Sequence, residues 1–204
     1  MTDELIASGV IRKLMPWETA LLRSHFLRLD TEARNCRFAA GVSDETIAGY
    51  AETALGPDAL VHGFLVEGVL RGAAELRLIE DNAGEVAITV EDAWRQTGVG
   101  TALFGRLLLT ARNRGVRSLI MTCLPANRGM QRLAARFDGK ITYASGDVFA
   151  DIAAEPANAV SLWREAWRDG SSVAATVLDA QLNLLKRARN GFRAKVRDGE
   201  TPGA

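Results

Sequence analysis

The chain is 204 residues long, 48% hydrophobic and 25% charged, enough for one full core with room for an appendage. Its 25 basic and 25 acidic side chains cancel, so no charge excess points to nucleic acid or an anionic membrane. Two cysteines are too few for a disulfide framework, and no run approaches the roughly 18 apolar residues of a membrane span. The acidic start "MTDELIASGV" does not read as a secretory signal, and we expect a cytoplasmic protein.

Val10 to Leu14 reads as a first strand, stopped by Pro16. Ala20, Leu21, Phe26 and Leu27 then fall near helical spacing, and "LRLDTEARNCRF" reads as a turn beginning at Asp30. "SDETIAGYAETAL" opens with a Ser or Asp cap and acidic residues, the start of a second helix. The apolar run from Leu60 to Glu80 breaks at Glu67-Gly68, which predicts a hairpin. A turn at Asn82-Ala83-Gly84 leads into a strand from Glu85 to Val90, rich in β-branched residues. From Gly98 the period changes: Leu103, Leu107 and Ala111 make an amphipathic stripe that Gly115 can end. Ser118 to Leu124 is a buried strand, "NRGMQRLAARF" a helix, and "KITYA" with "VFADIA" a closing hairpin. The order β-α-α-β-β-β-α-β-α-β-β predicts an α/β (α+β) fold, a mixed sheet with helices on its faces. After Pro156 the pattern is helical only, so residues 1–153 form the main domain and 154–204 a C-terminal helical extension with a frayed tail.

Between the strand and helix around residue 95 lies Arg95-Gln96-Thr97-Gly98-Val99-Gly100-Thr101. A helix start leaves its first amides unpaired and adds the positive end of the peptide dipoles, which together hold an anion, phosphate above all. Glycines admit positive φ and let a ligand approach the backbone. Thr101 adds a hydroxyl and Arg95 a cation at the rim. Spacing alone serves a plain βα turn equally well. A dinucleotide fingerprint needs a third Gly where Leu103 stands, and a P-loop needs a Lys after Gly100.

"VEDAWRQTGVGTAL" resembles the acetyl-CoA signature of the GNAT superfamily of N-acetyltransferases, with Arg95, Gly98 and Gly100 in the defining places. The element order is similar to that fold over residues 10 to 153. "TCLPANRGMQRLAARF" resembles the family's next motif, and "HFLRLDTEARNCRF" resembles the GNAT domain of bacterial protein-lysine acetyltransferases. The resemblance implies acetyl-CoA as cofactor. Main-chain groups of Ile88 and Val90 would pair with the pantetheine arm. Amides from Arg95 through Gln96, Thr97, Gly98, Val99 and Gly100 to Thr101 would hold the pyrophosphate, and Asn127 would touch the cofactor arm. Thr97 stands where many relatives carry Arg or Lys.

Acetyl transfer to an alkylamine of pKa near 10.4 needs a base to remove a proton. Glu85, the acid of its strand, is the candidate, and the lysine-acetyltransferase resemblance places a catalytic Glu there; a solvated Glu at a strand's start is the bland reading. The resemblance further implies an acid Tyr in the Asn-led helix, where this chain has Ala134, and an oxyanion donor in the Val90 amide. Tyr143 is a weak substitute.

His25 and His62 lack ligand spacing for zinc, no metal is expected, and Cys36 and Cys123 read as small hydrophobes. Trp163 and Trp167 line one helix face, suiting packing on the core or a subunit contact. The stripe from Val173 to Leu185 calls for burial across the domain or in a homodimer. Lys186 to Arg197 is a basic helix end; nucleic-acid binding through it is the weakest reading. We therefore expect an acetyl-CoA-dependent N-acetyltransferase acting on a protein lysine or a small amine. The alternative is a non-catalytic acyl-CoA sensor.

Overall fold

The computed structural model describes residues 9–38, 41–80, 82–158, 160, 162–163 and 165–167. Its strands are β1 (Val10–Lys13), β2 (Ala59–Val66), β3 (Val69–Ile79), β4 (Ala83–Val90), β5 (Ser118–Cys123), β6 (Lys140–Ala144) and β7 (Asp147–Ala153). Its helices are α1 (Thr19–Arg28), α2 (Thr31–Phe38), α3 (Asp44–Thr53), α4 (Val99–Asn113) and α5 (Arg128–Arg136). The strands form one seven-stranded sheet in the order β1-β2-β3-β4-β5-β7-β6. Every pairing is antiparallel except β4 with β5.

Two hairpins are closed by residue pairs with positive φ, Glu67-Gly68 and Ser145-Gly146. That geometry matches the twist of the flanking strands and explains the Gly at the second place. Alternation along the strands then sorts the apolar side chains to two faces. Leu76, Val86 and Leu119 pack under α4 with Leu103, Phe104 and Leu107. On the other face Val61, Leu70 and Ala73 pack with Leu22 and Phe26 of α1 and Ile47 and Ala51 of α3. Each fully buried Leu or Phe contributes about 1.5–3 kcal/mol against leaving it in water.

Residues 31–38 differ from the sequence expectation. They are a helix, not a turn, and Asp30 starts it: its Oδ1 accepts the Ala33 amide at 2.7 Å. No residue of α2 is fully buried, and only Ala33 and Phe38 pack against the core, too few to read as an apolar stripe. Its anchors are largely polar, with Arg34 donating to the carbonyls of Leu27 (2.5 Å) and Leu29 (3.2 Å) and to Asp44 (2.8 Å). β4 also begins two residues earlier than expected, at Ala83, so Glu85 lies inside the strand rather than at its start.

Residues 160, 162–163 and 165–167 are helical, in keeping with the expected extension. Glu165 ties this segment to α4, accepting from Thr110 (2.9 Å), Asn113 (2.5 Å) and Arg114 (3.3 Å). Trp163 and Trp167 stack on each other, centroids 5.6 Å apart, but stay 66% and 67% exposed, so they do not pack on the core. The stripe from Val173 to Leu185 and the basic segment from Lys186 lie outside the described residues. No helix among the described residues is long and apolar enough to cross a membrane.

Candidate active site

The parallel pairing of β4 with β5 stops early. It runs from Ala83↔Ser118 to Glu85↔Ile120, while β4 continues to Val90 and β5 to Cys123. Beyond Glu85 the two strands part, and the gap is a cleft. The Glu91 amide bonds to the Arg71 carbonyl at 3.0 Å. In an antiparallel ladder these bonds fall on every second residue. Hence Glu85, Ala87 and Thr89 turn their main-chain groups to β3. Val86, Ile88 and Val90 turn theirs to the open side.

A helix start closes one end of the cleft. Gly98 caps α4 with φ of 89°, and no side chain bonds to the cap. The Ala102 amide is bonded to the Gly98 carbonyl at 2.9 Å, which leaves the amides of Val99, Gly100 and Thr101 ahead of the helical ladder. A Cβ added at Gly100 would come no closer than 3.9 Å to its surroundings, to Val90 Cγ2, so the glycine leaves space for a group to approach the backbone. Gln96 also has positive φ, 59°, so the loop turns twice into the left-handed region before the helix begins.

Two side chains of this loop turn inward, and for Arg95 this corrects the expectation. Arg95 is no free cation at the rim. Its Nε donates to the Val90 carbonyl (3.1 Å), and its Nη atoms meet Asp30 (2.5 Å) and Asp92 (3.3 Å). It staples the loop to the cap of α2. Burial acts to raise the Asp30 pKa, but the Ala33 amide and Arg95 outweigh it and hold the carboxylate below its ordinary range. The Thr97 hydroxyl is bonded to the Trp94 carbonyl at 2.6 Å, sealing the turn.

The cleft between β4, β5 and α2 is lined by Cys36, Arg37, Glu85 to Val90, Arg95, Thr122, Cys123, Asn127 and Met130. Asn127 caps α5, its Oδ1 accepting the Met130 amide at 3.0 Å, and the residue lines the cleft. Burial pushes both the Cys36 and Cys123 thiols up, which argues against a resting thiolate there. Ala134 is buried and offers no acid, and Tyr143 is exposed on β6 and lines neither this cleft nor its neighbour.

A second cavity of about 270 Å³ adjoins it on the α2–α3 side, and Glu85 lines both. Here the structure reveals groups that sequence reasoning passed over. Glu75, only 7% exposed, accepts from Arg37 Nε (3.1 Å) and Nη2 (2.9 Å) on one oxygen and from the Tyr50 hydroxyl (2.7 Å) on the other. Arg37 also donates to the Tyr50 hydroxyl and lies over the rings of Tyr50, Phe38 and Phe26. The available signal was a lone acid in the apolar run "LRGAAELRL".

His25 is fully buried between α1 and β4, its Nε2 2.9 Å from the Thr89 hydroxyl and its Nδ1 3.3 Å from Glu91. Glu91 also accepts from Arg28 (2.8 Å) and Arg71 (2.9 Å). Burial would raise its pKa, yet these hydrogen bonds prevail and hold it at about 2. No group of three or more His, Cys, Asp or Glu able to hold a metal occurs among the described residues.

The profile of the acetyltransferase (GNAT) family matches residues 7–139. No curated protein matches the chain. Among solved structures, the GNAT domain of S. lividans PAT superposes with a TM-score of 0.62 at 20% identity, over 71% of this chain and 90% of that one. PaiA N-acetyltransferase from Thermoplasma acidophilum, solved in complex with coenzyme A, gives 0.56 at 17% identity over 72% and 99%. The putative acetyltransferase YncA from Salmonella typhimurium, solved with acetyl-CoA, gives 0.57 at 20% identity over 74% and 96%. At these identities the structures share a fold with this chain, and the profile, which spans well over half of it, fixes the family: the chain belongs to the GNAT family of acetyltransferases.

Proposed function

We propose that this protein is an acetyl-CoA-dependent N-acetyltransferase whose acceptor is a primary amine. The observation that carries the reading is the meeting of three features at one place. They are an unpaired stretch of β4 edge, the unspent first amides of α4, and a carboxylate, Glu85, on the wall shared with the second cavity. Amide donors at a helix start with no side-chain cap fit a diphosphate, and an open strand edge fits an amide-bearing arm that adds like a further strand. The residues present therefore fit coenzyme A. Amides from Gln96 to Thr101 would hold its phosphates, main-chain groups of Ile88 its arm, the Val90 amide the acyl end of that arm, and Asn127 would donate from the start of α5. The Val90 carbonyl, already bonded to Arg95, contributes less than the resemblance implies.

Acetyl-CoA supplies an acetyl group activated as a thioester. This chain's part is to bind the acceptor, orient it and take its proton. Glu85 would take that proton, directly or through one water, the Val90 amide would donate to the acyl oxygen as negative charge gathers there, and the C–S bond would break to release a thiolate that solvent protonates. Arg95 acts through the loop and α2 rather than on phosphate.

The test is Glu85→Gln. Because Glu85 is exposed and bonded to no described side chain, the variant should melt within a degree or two of the parent and bind coenzyme A as well by calorimetry. Its kcat with amine acceptors should fall about 10²–10⁴-fold. Undiminished turnover would remove Glu85 from the chemistry. Coenzyme A binding with no turnover on any amine would favour the sensor.

A further inference from the structure

The acceptor can be narrowed from the cavity on the α2–α3 side, an inference that rests on the acetyltransferase reading. Four charged side chains line that cavity: Arg37, Glu75, Arg77 and Glu85. The first two are spent on each other. Both Glu75 oxygens are occupied, by Arg37 and by the Tyr50 hydroxyl, so this glutamate is closed to an incoming amine.

Arg77 and Glu85 are in a different state. They stand directly opposite in the register of β3 and β4, on the same sheet face as Glu75 and Ala87. Both are exposed and line the cavity, and neither makes a side-chain hydrogen bond or ion pair among the described residues. Side chains in such register start about 5 Å apart at Cβ, so a positive and a negative group open side by side into one space.

We propose that the acceptor is a small primary amine that also bears a carboxylate, an amino-acid-like zwitterion. Its amine lies at Glu85 and its carboxylate on Arg77. The guanidinium fork matches a carboxylate with two parallel hydrogen bonds. Arg77 also acts against other amines. A diamine or a lysine side chain on a folded protein brings positive charge and no carboxylate within reach, leaving Arg77 beside a like charge. The cavity, at about 270 Å³, is smaller than most pockets for drug-sized ligands and suits a compact metabolite.

The experiment measures coenzyme A release with a panel of α- and β-amino acids, each matched to its decarboxylated amine, and with an end-blocked lysine peptide. Calorimetry of the same compounds against protein without acetyl-CoA gives a second readout. The carboxylate-bearing member of the best pair should lead in kcat/KM by tenfold or more, chiefly through KM, and should alone give binding heat. Arg77→Gln should shrink that lead at least tenfold, and Arg77→Glu should invert it in favour of diamines. Both variants alter an exposed side chain, and a melting curve checks that they fold. Matched pairs of equal rate, a lead that survives Arg77→Gln, or the lysine peptide as best acceptor would overturn the proposal while leaving the acetyltransferase reading intact. Absence of both coenzyme A binding and thiol release with every amine would overturn the two together.

Discussion

His62 makes this fold sensitive to mild acid, and the size of the effect can be worked out. The ring is 1% exposed in β2. Its Nε2 lies 3.0 Å from the Thr110 hydroxyl, and that hydroxyl donates to Glu165 at 2.9 Å. Thr110 having given its hydrogen to the carboxylate, its oxygen must accept from His62, so the ring carries its hydrogen on Nε2. Nδ1 is then a bare acceptor, and it has no partner. A second proton there would be a buried, unpaired charge. Burial first, with Arg106, Lys13 and Arg114 adding to it against Glu165, lowers the pKa from 6.5 to about 4. The sign follows: below 6.5 the unfolded chain binds a proton that the folded chain refuses, so stability falls as pH falls toward 4. Linkage puts the loss at about 2 kcal/mol by pH 5 relative to pH 8, and about 3 by pH 4. Urea unfolding at pH 8, 6 and 5 should show it in the parent. In His62→Gln, which keeps a donor for Thr110 and cannot titrate, the slope over that range should shrink by about 2 kcal/mol. The two proteins losing equal stability between pH 8 and 5 would refute the tautomer and burial reasoning.

Variants at two places test the remaining structure. Gly98→Ala places a Cβ at φ 89°, which should cost about 1–2 kcal/mol in urea unfolding. It should also weaken coenzyme A binding in calorimetry more than Thr97→Ala does, because the Thr97 hydroxyl is turned inward. Arg37→Leu should cost about 3–5 kcal/mol by stranding Glu75 without its cation, and Arg37→Leu with Glu75→Leu should recover most of that loss. If the double variant is as unstable as the single one, the stranded charge is not the cause.

Local signals carried the strands and hairpins well. Glu67-Gly68 and the 3.6-period stripe of Leu103 and Leu107 announce themselves within a few residues, because turn chemistry and burial leave a mark in the local sequence. The loop at Gly98 was legible in the same way, through residues that only a helix start needs. What stayed hidden depends on partners distant along the chain. The helix Thr31–Phe38 is held by Arg34 and Arg37 reaching other elements, so its own residues show no apolar period. Arg95 matched the family's motif, yet its neighbour Asp30 lies 65 positions away, and only the fold reveals that the guanidinium is already engaged. His25 and Glu75 look like ordinary polar residues until burial is known.

The strand β4 explains why so short a stretch can organise the whole site. Its period of two sends Val86, Ile88 and Val90 side chains into the α4 core and their main-chain groups to the cleft. Glu85, Ala87, Thr89 and Glu91 turn the opposite way, toward α1 and α2. A slip of one residue would bury Glu85 in the α4 core and turn the main-chain groups of Val86, Ile88 and Val90 away from the cleft. Both ends of the strand resist that slip. At Gly84 any Cβ would meet Leu76 at 2.5 Å, so this place in the core accepts glycine alone without repacking. At Glu91 the carboxylate is fixed by His25, Arg28 and Arg71, and the Thr89 hydroxyl by His25. Clamps on both sides of the five residues Val86–Val90 keep the unpaired edge extended, although β5 no longer supports it. A buried polar cluster outside the cleft is therefore what lets the strand stay open, and Glu85 stay on the face that lines both cavities, before any ligand arrives.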